Sequence, residues 1–108
     1  MGGISTHVLD VAAGRPAAGL AVRLEGRSVG EWVLLHEAVT DDDGRVGDLL
    51  GSRDLETGEY RITFDTGAHN PDGFYPTASV VFRVTDADDH HHVPLLLSPF
   101  GYSTYRGS

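Results

Sequence analysis

Residues 60–65 read YRITFD, and the alternation of their side chains decides the fold class. Tyr60, Ile62 and Phe64 fall on one face of an extended chain, whereas the residues between them are polar. This period of two is typical of a half-buried β-strand. Residues 77–84, TASVVFRV, repeat the alternation further along the chain and predict a second strand.

The rest of the chain consists of similar short segments separated by turn residues. GLAVRLEG and EWVLLHEAVT predict strands at residues 19–26 and 31–40, and the Asp-rich TDDDGR predicts a tight turn at residues 40–45. The 14 glycines and 5 prolines break the chain too often for long helices. Residues 67–76 leave room for one short helical turn, and Gly51 interrupts the only other helical candidate. About seven or eight strands at this spacing predict an all-β antiparallel sandwich with at most one short helix.

The size and charge of the chain limit its possible functions. With 108 residues it fits one domain, residues 1–108. Its 16 acidic and 8 basic side chains give a formal net charge of -8, so nucleic acid is not expected as a partner. Cysteine is absent, which excludes disulfides and thiolate metal ligands. No stretch has the length of a transmembrane helix and the N-terminus lacks a signal-peptide pattern, so a cytoplasmic protein with no membrane partner is expected.

The C-terminal stretch, DDHHHVPLLLSPFGYSTYRGS, places three histidines before an apolar run. Alternation predicts that Val93, Leu95 and Leu97 enter the core, and that His90 and His92 share the opposite face. Two histidines at this spacing are compatible with zinc if a nearby aspartate or a distant histidine adds a third ligand. Acid–base chemistry and a solvated, incidental triplet are the other interpretations, and the residues alone leave all three open.

Several other polar and aromatic residues have ordinary structural interpretations. His7 takes a polar position in the strand predicted from STHVLD, Arg45 follows an Asp-Gly turn, and residues 105–108 would ordinarily fray. Four aromatic residues are expected in the core: Trp32, Tyr60, Phe64 and Phe82. None of these features predicts a function by itself.

Motifs at both ends of the chain carry a resemblance to a known family. They are STHVLD followed by GRPAAGLAVRLE, then TDDDGR and FYP, and above all the terminal HVPLLLSPFGYSTYRGS. Together they make the chain similar to the 5-hydroxyisourate hydrolases, the transthyretin-related enzymes of urate breakdown. The resemblance covers residues 4–108, and its most specific motif is the terminal Tyr-Arg-Gly-Ser.

The resemblance implies a fold, an assembly and a set of site residues. The fold is a transthyretin-like two-sheet sandwich, and the assembly is a homotetramer with a central channel lined by one face of the last two strands. The family's functional residues fall on His7, Arg45 and His92. Its terminal motif borders the site, which adds substrate-binding residues to Arg45: Tyr105, Arg106 and Ser108.

One position departs from the family pattern. His91 stands where the family usually has Tyr or Phe between two histidines. Alternation points this side chain away from His92. We therefore expect altered packing beneath the strand rather than lost chemistry.

The reaction implied by the resemblance is hydrolysis of 5-hydroxyisourate to 2-oxo-4-hydroxy-4-carboxy-5-ureidoimidazoline. A histidine that titrates near neutrality supplies a base without metal or cofactor, so neither is expected. His7 and His92 are assigned as the proton-transfer pair, and Arg45 as the substrate clamp that stabilises developing negative charge. The alternatives are a non-catalytic transthyretin-like carrier of small ligands and a metalloprotein that uses the histidine triplet. A carrier has no use for these three residues together.

Overall fold

The computed structural model of the chain describes residues 2–108, and within that range it contains ten strands and one four-residue helix. The described part of the chain includes no helix with the length and apolar character needed to cross a bilayer. The elements are β1 Ile4–Asp10, β2 Arg15–Pro16, β3 Ala21–Ser28, β4 Glu31–Val39, β5 Arg45–Val46, β6 Gly58–Phe64, α1 Thr66–His69, β7 Ala78–Val84, β8 His91–His92, β9 Leu95–Ser98 and β10 Gly101–Thr104.

The strands form two sheets. In the larger sheet the order is β10-β9-β1-β2, and β5 and β8 also pair with β1. In the smaller sheet the order is β4-β3-β6-β7. Strand β1 is therefore the element that holds the larger sheet together, with β5 and β8 beside its first half.

The apolar faces of the two sheets meet in one core. Ile4 and Val8 of β1 are fully buried, as are Ile62 and Phe64 of β6 on the opposite sheet. Near the C-terminus, the predicted inward residues are all buried: Val93, Leu95 and Leu97. The alternation in the sequence therefore predicts correctly which of these side chains face the core.

The predicted two-sheet β structure with at most one short helix is confirmed, and two details differ from the expectation. Strand β1 pairs in parallel with β8 and β9, so the larger sheet is not wholly antiparallel. Trp32 is only half-buried, because it lies on the outer face of the smaller sheet between two guanidinium groups. Those groups belong to Arg27 and Arg61, at 5.5 and 4.7 Å from the ring centre.

Candidate active site

Strand β1 forms the centre of the candidate site, because Ser5 and His7 alternate onto the same face. Ser5 lies opposite His92 in the parallel pair with β8, and His7 lies opposite Arg45 in the antiparallel pair with β5. Residues opposite each other on neighbouring strands share a sheet face. Strand pairing thus brings His7, Arg45 and His92 together from three distant parts of the sequence.

The turn before Arg45 is shaped by Asp41 and Gly44. One carboxylate oxygen of Asp41 accepts hydrogen bonds from the backbone N–H groups of Asp43 and Arg45, each at 2.9 Å. Gly44 has a φ of 75°, and a Cβ there would lie 2.4 Å from the carbonyl oxygen of Val8. Only glycine permits this close approach to β1, which sets Arg45 beside His7 with its side chain exposed.

His7 is half-exposed and anchored to the same turn. Its Nε2 lies 2.8 Å from the backbone carbonyl oxygen of Asp43. A carbonyl oxygen can only accept, so Nε2 carries the proton and donates this hydrogen bond. In the neutral ring, Nδ1 therefore keeps a lone pair that can receive a proton.

His92 is half-buried, and its surroundings favour the neutral imidazole. Burial, followed by the positive charge of Arg45 and then by His7 and His90, lowers the pKa of His92 below its ordinary 6.5. A neutral histidine at physiological pH can accept a proton, which is what a general base requires.

The C-terminal segment holds the ring of His92 in place. The backbone N–H of Gly107 donates to the carbonyl oxygen of His92 at 2.8 Å. A Cβ on Gly107 would lie only 2.5 Å from Cδ2 of the His92 ring. The glycine of the terminal Tyr-Arg-Gly-Ser motif is therefore the residue that leaves room for this imidazole.

Ser5 contacts two histidines at once, and sequence reasoning missed it. Its Oγ lies 2.7 Å from Nε2 of His90 and 2.8 Å from Nδ1 of His92. The predicted shared face of His90 and His92 is confirmed, and both rings direct a nitrogen at this hydroxyl. Among residues 2–108, no group of three or more His, Asp or Glu side chains has a geometry that could hold a metal ion. The sequence feature that could have identified Ser5 is its polar position two residues before His7, on the same face of the strand.

His91 lies on the other side of the strand, as its position in the alternation predicts. It is opposite Ile4 in the pairing of β8 with β1, and only 4% of its surface is exposed. Its Nδ1 is buried and has no hydrogen-bond partner within residues 2–108. The ring fills a packing position, which agrees with the aromatic residue expected there.

The remaining candidate residues lie beyond the end of β10. Tyr105 and Arg106 line a cavity of about 320 Å³ together with His91 and residues of β7, on the side of β8 away from His92. Arg106 also approaches Asp89, with 3.8 Å between Nη2 and Oδ2. Ser108 is exposed. Within one chain, the structure thus groups His7, Arg45 and His92, but places Tyr105 and Arg106 around a different cavity.

The chain as a whole has relatives among known proteins. Residues 4–107 match the model of the HIUase/Transthyretin family. The chain belongs to that family. Among the relatives of this HIUase/Transthyretin chain, the uric acid degradation bifunctional protein TTL of Arabidopsis thaliana is 49% identical over 97% of the chain, which spans 37% of that longer protein.

Two other proteins match the chain over their full length, and both are named 5-hydroxyisourate hydrolase. The 5-hydroxyisourate hydrolase of Caulobacter vibrioides is 44% identical, and the match covers 100% of both chains. The structure of Klebsiella pneumoniae 5-hydroxyisourate hydrolase superposes with a TM-score of 0.86 at 37% identity, again over 100% of both chains. The resemblance seen in the end motifs therefore extends along the whole HIUase/Transthyretin fold.

Proposed function

We propose that the protein hydrolyses 5-hydroxyisourate, opening its six-membered ring to give 2-oxo-4-hydroxy-4-carboxy-5-ureidoimidazoline in urate degradation. The observation that carries this proposal is the convergence of His7, Arg45 and His92 on one face of the larger sheet. The full-length relatives named 5-hydroxyisourate hydrolase support the same substrate. Residues 1–108 act as a single domain in this proposal.

His92 is the proposed general base. Because Nδ1 points at Ser5, Nε2 is the ring nitrogen that faces substrate and water. The lowered pKa of His92 keeps the ring neutral near physiological pH. As the oxygen of water bonds to a ring carbonyl carbon, Nε2 takes the proton that the water loses.

Arg45 and His7 complete the proposed reaction. The exposed guanidinium of Arg45 offers planar donors to the carbonyl oxygen, which becomes an oxyanion in the tetrahedral intermediate. Collapse of that intermediate breaks the ring C–N bond, and the leaving nitrogen takes a proton from an imidazole N–H of the histidine pair. Tyr105, Arg106 and Ser108 are proposed to bind substrate where a second copy brings them near the first site.

A homotetramer is part of the proposal. His7 and His92 are half-exposed and Arg45 is exposed, so a single chain leaves the reacting groups open to water. A neighbouring copy would close the site and exclude bulk solvent, which strengthens the electrostatic interactions inside it. A cytoplasmic location stays a prediction from the sequence.

The decay of freshly generated 5-hydroxyisourate, followed by absorbance, tests the proposed activity. Purified untagged protein should accelerate the decay well above the spontaneous rate, whereas a carrier would leave the rate unchanged or slow it. The acceleration should survive prolonged EDTA treatment, because imidazole and guanidinium groups supply the chemistry. Activity lost with EDTA and restored by zinc would support the metal interpretation instead.

A further inference from the structure

The hydroxyl of Ser5 links an exposed histidine to the proposed base. Ser5 is 8% exposed, and its Oγ bridges Nε2 of His90 and Nδ1 of His92. The His90 side chain is exposed and lines a surface depression of about 290 Å³ with Asp48 and Arg53. A continuous hydrogen-bonded path therefore runs from solvent to the inner nitrogen of His92.

The path allows two arrangements of the same protons. A hydroxyl donates one hydrogen bond and accepts others, and a neutral imidazole has one N–H and one lone pair. In the first arrangement Nδ1–H of His92 donates to Ser5, and Ser5 donates to His90, so Nε2 of His92 is free to accept a proton. In the second, His90 donates to Ser5 and Ser5 donates to Nδ1 of His92, so Nε2 of His92 carries the proton.

We propose that Ser5 and His90 form a proton relay that switches His92 between base and acid during hydrolysis. The proposal rests on the proposed function of His92. In this relay, Ser5 and His90 act through His92 and are positioning residues rather than groups that touch the substrate.

The relay balances its protons. Nε2 of His92 takes the proton of the attacking water, Nδ1 gives its own proton to Ser5 Oγ, and Ser5 gives its proton to Nε2 of His90. His90 releases one proton from Nδ1 to solvent. His92 is then a neutral ring with its proton on Nε2, and that proton passes to the leaving nitrogen when the ring C–N bond breaks. The reverse shift along the path accompanies this transfer, so that Nδ1 of His92 gains a proton from Ser5 as Nε2 loses one. Ser5 regains its proton from Nε2 of His90, and His90 takes up one proton from solvent, which restores the starting arrangement.

The charges around His92 explain why a relay is useful. His92 faces Arg45, His7 and His90, and an imidazolium held beside a guanidinium is unfavourable. Passing the positive charge outward moves it away from Arg45 to the surface depression that the exposed residues Asp48 and Arg53 also line. Within residues 2–108, the hydroxyl of Ser5 is the group that lies within hydrogen-bond distance of both rings.

Nitrogen-15 NMR of histidine-labelled protein without substrate tests the relay. When His90 carries protons on both nitrogens, its Nε2–H donates to Ser5, which leaves the Ser5 hydroxyl proton available to Nδ1 of His92. If the relay operates, lowering the pH should therefore shift His92 of the native protein toward the tautomer with the proton on Nε2. Ser5→Ala should abolish this coupling, and Ser5→Thr, which keeps the hydroxyl, should retain it.

The same variants make a kinetic prediction. Ser5→Ala and His90→Gln should each lower kcat/KM for 5-hydroxyisourate by about tenfold or more, the usual scale for residues that orient a reacting group. Ser5→Thr should stay within about threefold of the native rate. His36→Gln, which changes a half-buried histidine on the smaller sheet, is the matched control and should keep the native rate.

The outcomes separate the relay from the proposed function. Native tautomer coupling and native rate in Ser5→Ala would overturn the relay while leaving the hydrolase proposal intact. Tautomer coupling in a protein that does not hydrolyse 5-hydroxyisourate would support the relay geometry and overturn the activity. If Ser5→Ala fails to fold, the exposed position of His90 makes His90→Gln the deciding variant, and a native rate in that variant would overturn the relay.

Discussion

At the residue scale, two adjacent histidines have opposite environments. His91 is buried and its Nδ1 has no hydrogen-bond partner among residues 2–108, whereas His92 is half-buried and its Nδ1 contacts the hydroxyl of Ser5. Alternation along the strand was sufficient to predict this division. Alternation was not sufficient to predict the part played by Ser5. This residue is 85 positions from His90 and 87 positions from His92 in the sequence, and its contacts with them depend on which strands pair.

The two histidines should respond differently to substitution. His92→Ala should keep the fold and lower the hydrolysis rate by about a hundredfold or more, the usual scale for removing a general acid–base group. His91→Phe should keep turnover and raise the free energy of unfolding by about 1 kcal/mol, because it replaces a buried unpaired nitrogen with an apolar ring. Urea unfolding and the absorbance assay on both variants measure these effects. A folded His92→Ala protein with an undiminished rate would remove His92 from the mechanism.

Gly107 provides an independent check on the position of the His92 ring. The Cβ of Gly107→Ala would overlap Cδ2 of His92, so either the ring or the terminal segment must move. We expect hydrolysis to fall by about tenfold or more, because small misplacements of reacting groups have large effects on rate. The melting temperature should change little, since the segment is near the surface. Gly101→Ala, whose Cβ would meet only an ordinary contact at 3.8 Å, is the control and should retain the native rate.

For the secondary-structure elements, the sequence predicted where the strands lie better than it predicted which strands pair with each other. Residues 60–64 of YRITFD lie in β6, and residues 78–84 of TASVVFRV form β7. Burial alternates as expected in β7, whereas in β6 Thr63 is buried as well as its apolar neighbours. The parallel pairing of β1 with β9 was not predictable, because alternation defines which face a residue takes and carries no information about the neighbouring strand. The expected burial of Trp32 failed for a related reason. Arg27 and Arg61, on neighbouring strands, provide a stacking site that keeps the ring on the surface.

The end of β1 is tied to α1 by a hydrogen bond between a histidine and a carboxylate, and the stability that this bond provides should depend on pH. His69 Nε2 lies 2.8 Å from Oδ2 of Asp10. The hydrogen bond from His69, and next that from the backbone of Ala13, hold the pKa of the Asp10 carboxyl below its usual range. Because the unfolded chain binds this proton more readily, the stabilisation is present above the unfolded pKa of about 3.9 and is lost as the pH falls through the lower folded value.

Asp10→Asn tests this linkage. At pH 6 the variant should unfold with a free energy lower by about 1 kcal/mol or less, as expected for a partly exposed hydrogen bond between a histidine and a carboxylate. The difference from the native protein should shrink as the pH is lowered below about 4. Unfolding in urea at a series of pH values measures it. A constant difference for Asp10→Asn across the series would contradict the linkage.

In a single chain, the proposed site is more exposed to solvent than its chemistry favours. Arg45 is exposed, and the cavity that Tyr105 and Arg106 line is a separate one. Strands β7 and β10 each lie at one edge of their sheet, and within the described residues 2–108 each pairs with one neighbouring strand. Outer strands with free backbone groups are natural positions for contact with another copy. The sequence predicted which residues take part through the family resemblance, but strand pairing within one chain does not specify how copies meet.

The assembly should therefore control activity. Light scattering coupled to gel filtration should give a mass about four times the 11.6 kDa of one chain, as expected for a closed symmetric homo-oligomer. Because a monomer leaves His7, Arg45 and His92 open to water, the rate per chain should fall when dilution dissociates the tetramer. Measuring mass and 5-hydroxyisourate decay across the same dilution series tests this, and the two curves should have the same midpoint. A monomer with full activity per chain would show that one copy suffices, and the expectation that subunits complete the site would then be wrong.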